Sequence, residues 1–184
     1  LGFSGSGFAF SGGVAFADAF GELRLLNTSG TQTFSGEISG AGTVRRNGAG
    51  GTTELAGANA NFTGSVVLDA GTLVVGHASA LGTGTLDLSG GTLSATVDRT
   101  LANNLTMTAS STIAGGAGVD FIFTSDTIGG TSGTLTLDNT ANAGAMSVAF
   151  SGTGFTFARP IAFADAFTEL RFAGRRAVFS SGAQ

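Results

Sequence analysis

The phrase VAFADAFGELRLL (14–26) returns near the other end of the chain as IAFADAFTELRF (161–172). The match extends outward at a constant offset of 147 positions: Phe3, Phe8, Phe10, Phe16 and Phe20 return as Phe150, Phe155, Phe157, Phe163 and Phe167. Asp18, Glu22 and Arg24 return as Asp165, Glu169 and Arg171. A fixed internal period constrains the fold strongly, because it is the mark of units stacked on one another in a line.

Between the copies lie short runs in which apolar and polar residues alternate, among them GTLVVG (71–76), GTLDLSG (84–90), GTLSATV (91–97), NLTMTAS (104–110) and GTLTLD (133–138). Period-two alternation over four to six residues, bounded by Gly, Asn, Ser and Asp, predicts strands. No sustained helical stripe occurs from 27 to 149, so the expected class is all-β. The G-T-L phrase recurs at Gly71, Gly84, Gly91 and Gly133. A parallel β-solenoid rung takes roughly 20 residues, so 147 residues correspond to about seven rungs and the whole chain, 1–184, to about nine. Residues 3–26 and 150–172 are then equivalent rungs. As a helix the repeated phrase would put Phe16, Phe20 and Leu23 on one face; the alternation of Phe8, Phe10, Val14 and Phe16 favours strand, corner, strand instead, with FAFSGGVAF and GELRL flanking a turn at Asp18-Ala19. Pro160, the single proline, sits more easily at a corner of the second copy than inside a helix.

Composition narrows the function classes. Leu, Ile, Val and Phe make up about a quarter of the chain and the net charge is only -4, so the chain folds despite 32 glycines. Every basic residue is an arginine, and no basic stripe is available to neutralise phosphates. No stretch reaches the roughly 18 apolar residues of a membrane-spanning helix, and no signal peptide is visible at Leu1. The expectation is a piece of something larger. Sixteen phenylalanines stand against no tyrosine and no tryptophan. Rings without a polar handle suit a dry interior better than a sugar-stacking groove.

Residues 33–95 carry FSGEISGAG (34–42), TELAGANANFTG (53–64), LDAGTLVVGHASALGTGTL (68–86) and SGGTL (89–93). This stretch resembles the autotransporter-associated β-strand repeat of bacterial autotransporter passengers and related large surface proteins. LANNLTMTASSTIAGG (101–116) continues in the same style. The resemblance implies a right-handed parallel β-helix, exported and displayed outside a bacterial cell. Two departures stand out: Phe62 occupies the place of the family's usual tyrosine, and no segment reads as the C-terminal membrane barrel.

Candidate chemistry is sparse. GGAGVDFIF (115–123) fits one copy of the calcium-binding nonapeptide, with Asp120 as ligand, but the next nine residues do not repeat it and calcium needs six to eight oxygens. The expected role of Asp120 is to bond its own backbone at a corner. Asp18, Glu22 and Arg24 could pass for acid–base machinery. Their return with the structural period argues instead for corner hydrogen bonds and ion pairs. His77 has no second His or Cys as co-ligand and reads as a solvated loop residue. Arg45-Arg46 and Arg175-Arg176 read as solvated corners. GAGG (48–51) lacks the residues of a phosphate loop. Sequons at Asn27, Asn61 and Asn104 carry no weight, and the regular T-x-T array of an ice-binding face is not evident.

A solenoid exposes an unpaired strand edge at each end, and natural ones close these with atypical capping rungs. Neither end of this chain reads as a cap. The sequence therefore predicts a non-catalytic, cofactor-free extracellular structural solenoid that partners itself, by head-to-tail stacking or covalent tandem repeats. Its assembly and core ladder would be Phe3, Phe8, Phe10, Phe16, Phe20, Phe150, Phe155, Phe157, Phe163 and Phe167. An adhesin passenger binding host or matrix ligands is the alternative, and a polysaccharide-active β-helix enzyme stands behind that.

Overall fold

The structure is a computed structural model that describes residues 1–116, 118–125, 128–141, 144–151, 156–157, 159–172 and 178–179. Every element of regular structure among them is a strand, and the paired strands run parallel. The chain coils as a three-sided β-solenoid. The first side carries Gly2–Phe3, Glu22–Leu25, Thr43–Arg46, Ser65–Leu68, Thr85–Leu88, Asn104–Met107 and Ile128–Gly130. The second carries Ala9–Phe10, Thr31–Phe34, Thr52–Leu55, Thr72–Val75, Thr92–Ala95, Ser111–Gly115, Leu135–Asp138 and Ile161–Phe163. Eight strands make about seven turns from first to last, close to the nine rungs expected.

The third side is less regular. Val14–Ala15 pairs with Ile38–Ser39, and a single bridge joins Gly40 to Phe62. Further along, Arg99–Leu101, Asp120–Phe123, Met146–Phe150 and Thr168–Phe172 form a four-stranded sheet. Thr156–Phe157 pairs with Val178–Phe179. Turn length varies from 19 residues (Thr85 to its partner Asn104) to 27 (Asp120 to Ser147), so corners absorb insertions while the strands keep their register.

Alternation in the sequence becomes inside and outside. Leu23, Val44, Val66, Leu86 and Leu105 line up in register down the first side, all buried. Leu73, Leu93, Ile113 and Leu137 do the same on the second. Each inward leucine contributes about 1.5–3 kcal/mol of apolar burial, and the parallel ladder stacks these contributions along one axis.

Two expectations about the repeated phrase change. FAFSGGVAF is not one strand: Ala9–Phe10 and Val14–Ala15 lie on different sides, with a corner between them. The two copies also do not occupy the same side. Phe3 and Glu22–Leu25 lie on the first side, whereas Phe150 and Thr168–Phe172 lie on the third. The offset therefore amounts to six turns and two further sides, not to about seven whole rungs.

Candidate functional site

The first turn carries the first copy of the repeated phrase. Its strands pair only with the turn that follows, and Phe3, Phe8 and Phe10 cluster on the buried Phe34 with ring centroids 5.3, 5.9 and 5.7 Å from it. Phe3, Phe8, Phe10, Val14 and Phe16 pack against the core but remain partly exposed. Phe16 sits over Gly42, where any side chain would collide with its ring, and so reaches Phe62 at 5.9 Å. The side chains with which the first turn meets the core are thus apolar and largely aromatic.

In the second copy one phenylalanine lies deep in the coil. Phe150 is fully buried and stacks on Phe123 at 5.2 Å, with Phe172 on its other side at 6.2 Å. Phe121 lies 6.5 Å from Phe123. Three residues expected in the ladder do not fill the core: Phe20 is 96% exposed, Phe167 64% and Phe163 51%. The first two project from a corner. Phe163 stands in register with inward Leu137, on the last described strand of the second side. Phe155 lies outside the described residues, and Phe157 is described only as part of its strand. The ladder residues missed from sequence are Phe34, Phe62, Phe121 and Phe123, which belong to neither copy of the phrase.

Asp18 and Asp165 do the same local job. Asp18 Oδ1 accepts the Phe20 and Gly21 amides at 2.8 and 3.1 Å; Asp165 Oδ1 accepts those of Phe167 and Thr168, each at 2.7 Å. These turns swing Phe20 and Phe167 outward. Asp165 goes further. Its Oδ2 accepts the Asn139 amide of the preceding turn at 2.6 Å and the Thr168 hydroxyl at 2.8 Å. Partial desolvation pushes its pKa up, but the hydrogen bonds from Asn139, Thr168 and Phe167 outweigh that and hold the carboxyl below its ordinary value.

Glu22 and Glu169 join arginines rather than their aspartates. Glu22 pairs with Arg24 at 3.6 Å and with Arg45 at 2.8 Å, and Arg45 continues to Asp69 at 2.6 Å. Glu169 pairs with Arg171 at 2.8 Å. Hydrogen bonds to Asp69 and then Glu22 raise the pKa of Arg45, and the bond to Glu169 raises that of Arg171.

Arg46 departs furthest from expectation. It is fully buried, not a solvated corner residue. Its guanidinium donates to the carbonyls of Leu25 at 3.1 Å, Asn27 at 3.2 Å and Thr72 at 3.4 Å, and to that of Gly51. Those carbonyls belong to successive turns, so one side chain fastens three of them. Burial lowers its pKa, and no carboxylate pairs with it among the described residues. Asn27, Gln32 and Thr53 extend this buried polar seam: Asn27 reaches the Thr52 carbonyl at 2.9 Å, and Thr53 donates to Asn27 at 3.0 Å. Arg99 repeats the device at the surface, donating to the Val75 and Gly76 carbonyls at 2.7 and 2.8 Å. Arginine suits this task because its planar fork offers five donors.

The remaining candidates find local partners. Asp120 opens a strand instead of bonding its own backbone: its Oδ1 accepts the Ser147 hydroxyl at 2.6 Å, and its amide donates to Asp98 at 2.9 Å. No group of three or more His, Asp or Glu suited to a metal lies among the described residues. His77 Nδ1 accepts the Ser79 amide at 3.1 Å in an exposed turn. Asn27 is buried, whereas Asn61 and Asn104 are exposed. Arg175 and Arg176 lie outside the described residues. The outer surface does carry a single file of threonines in register on the second side, Thr31, Thr52, Thr72, Thr92, Thr112 and Thr136. The file two residues on contains Glu54, Val74, Ala114 and Asp138, so the paired T-x-T array is absent there.

Comparison with protein-family models, curated proteins and solved structures returns no match.

Proposed function

We propose that this chain is a non-catalytic structural solenoid, a unit of an extracellular bacterial fibre or autotransporter-like stalk that continues end to end. The observation that supports the reading is the recurrence of the phrase within one coil: its two copies lie on parallel turns of the same solenoid, six turns and two sides apart. The resemblance of 33–95 to the autotransporter-associated repeat supports export and surface display. The mechanism is mechanical. Parallel ladders and a Phe/Leu/Val interior resist bending, arginine and asparagine side chains fasten successive corners, and the outer surface remains lightly charged.

Electron microscopy of the native particle tests this. Continuous filaments whose diffraction carries the roughly 4.8 Å spacing of stacked strands along the axis are expected. Discrete short rods of one chain length would sink the fibre reading and favour an adhesin passenger.

A further inference from the structure

Asn47-Gly48 is the one Asn-Gly step in the chain, and it leaves Thr43–Arg46, a strand paired along both edges. In an unfolded chain such a step is open to deamidation, because glycine puts no side chain beside the nitrogen that attacks. Three observations bear on its state in the fold. The Gly48 amide donates to the Leu25 carbonyl at 3.2 Å, sharing that oxygen with the Asn47 amide at 3.2 Å and with Arg46 Nη1 at 3.1 Å. Gly48 is buried, and a Cβ there would collide with the Asn27 carbonyl oxygen and lie 2.6 Å from Arg46 Nη1, so only glycine fits. The Asn47 side-chain oxygen is buried and finds no donor among the described residues. The backbone pattern does not itself call for asparagine. Asp69-Ala70 and Thr108-Ala109 leave later strands of the same side with their paired amides likewise on one carbonyl, that of Arg46 or of Leu88.

We infer that Asn47-Gly48 is a self-modification site that the folded coil holds shut and that opening of this turn releases. In the reaction the Gly48 nitrogen gives its proton to solvent base and attacks Asn47 Cγ. The N–Cγ bond forms, the Cγ–Nδ2 bond breaks, Nδ2 departs as ammonia and a five-membered succinimide remains. Water then opens the ring, at Cγ to give aspartate or at the backbone carbonyl to give isoaspartate; nothing is oxidised or reduced. In the fold the Gly48 hydrogen is committed to Leu25, and no donor polarises the Asn47 side-chain carbonyl. The isoaspartyl product carries one more backbone carbon before the Gly48 nitrogen, so the two amides no longer share one carbonyl. Aspartate keeps the ordinary backbone, and Asp69 already holds the corresponding place one turn on. The site thus marks chains that have spent time unfolded and bars the isoaspartyl fraction from re-forming this corner.

Peptide mapping of the full chain tests this, scoring aspartate and isoaspartate at position 47 after incubation in mildly alkaline buffer with and without urea. In urea, conversion at Asn47 is expected to outrun that at Asn61, Asn103 and Asn104. Without urea it should slow at least as much as hydrogen exchange slows at the Gly48 amide. Arg46→Ala removes a donor from the shared Leu25 carbonyl and should raise the rate without urea roughly tenfold or more; if that variant does not fold, the parent chain's own rates decide. When urea is removed, isoaspartyl chains should remain unfolded while the Asn47→Asp chain refolds. Conversion as fast without urea as with it, or no faster at Asn47 than at Asn61 in urea, would overturn the inference, as would isoaspartyl chains that refold to the parent's stability.

Discussion

Arg46 is an unpaired cation in an apolar coil, and its retention there follows from what its fork satisfies. Replacing it by alanine removes donors from the carbonyls of Leu25, Asn27, Gly51 and Thr72 and opens a cavity among them. We expect Arg46→Ala to cost about 2–4 kcal/mol, read as a lower urea midpoint; Arg45→Ala, at a partly exposed surface pair, should cost within about 1 kcal/mol. Gly71 belongs to the same arrangement. Its φ of 69° is left-handed, and a Cβ there would lie 2.8 Å from Arg46 Cζ, so Gly71→Ala should destabilise for both reasons. Asp165 carries a pH dependence of definite sign. Its carboxyl is held below the ordinary value of 3.8, so its contribution is complete above that value and is lost as the pH falls through the lower folded value. Below about pH 4 the Asn139 amide should lose protection from hydrogen exchange, corrected for intrinsic rate, and Asp165→Asn should remove the effect.

At the scale of the strand, position in the stack decides what a phenylalanine is worth. Phe150 lies between two rings and is fully buried, whereas Phe20 occupies a corner and is 96% exposed. Phe150→Ala is expected to cost about 3–5 kcal/mol and Phe20→Ala no more than about 0.5, measured as the difference in denaturation midpoint. The sequence announced both residues as members of one ladder because it shows recurrence, and recurrence does not say which way a side chain points at a corner. The strand segments themselves were legible: the alternation in 71–76, 84–90 and 104–110 places Thr72–Val75, Thr85–Leu88 and Asn104–Met107 where they are found. Arg46 was not. TVRR occupies a strand like its neighbours, and the cue that its fourth residue faces inward is the period itself, which the charge of that residue masks. The threonine file was hidden for another reason. Its members are 20 to 24 residues apart (Thr72 to Thr92, Thr112 to Thr136), and only the corner lengths bring them into line.

For the whole molecule, stability should be graded along the axis. Each turn touches only its neighbours, so the middle turns have two partners and the first has one. Backbone amides of Val66, Leu86 and Leu105 are expected to exchange most slowly and those of the first turn fastest; a uniform profile would show one all-or-none unit instead. On the proposed fibre reading, the repeated phrase would also give addition a screw sense that a simple stack of discs would not have. Its copies sit one side apart on a three-sided coil, so each further copy added in the same way starts one face on from the last. An advance of six turns and two sides rises about 32 Å, and three advances, about 96 Å, bring the phrase back to its original face. The exposed corner rings Phe20 and Phe167 would then trace a sparse spiral thread along a long rod, so that rods meeting through them would be laid around each other like the yarns of a rope rather than ranked side by side as a flat tape.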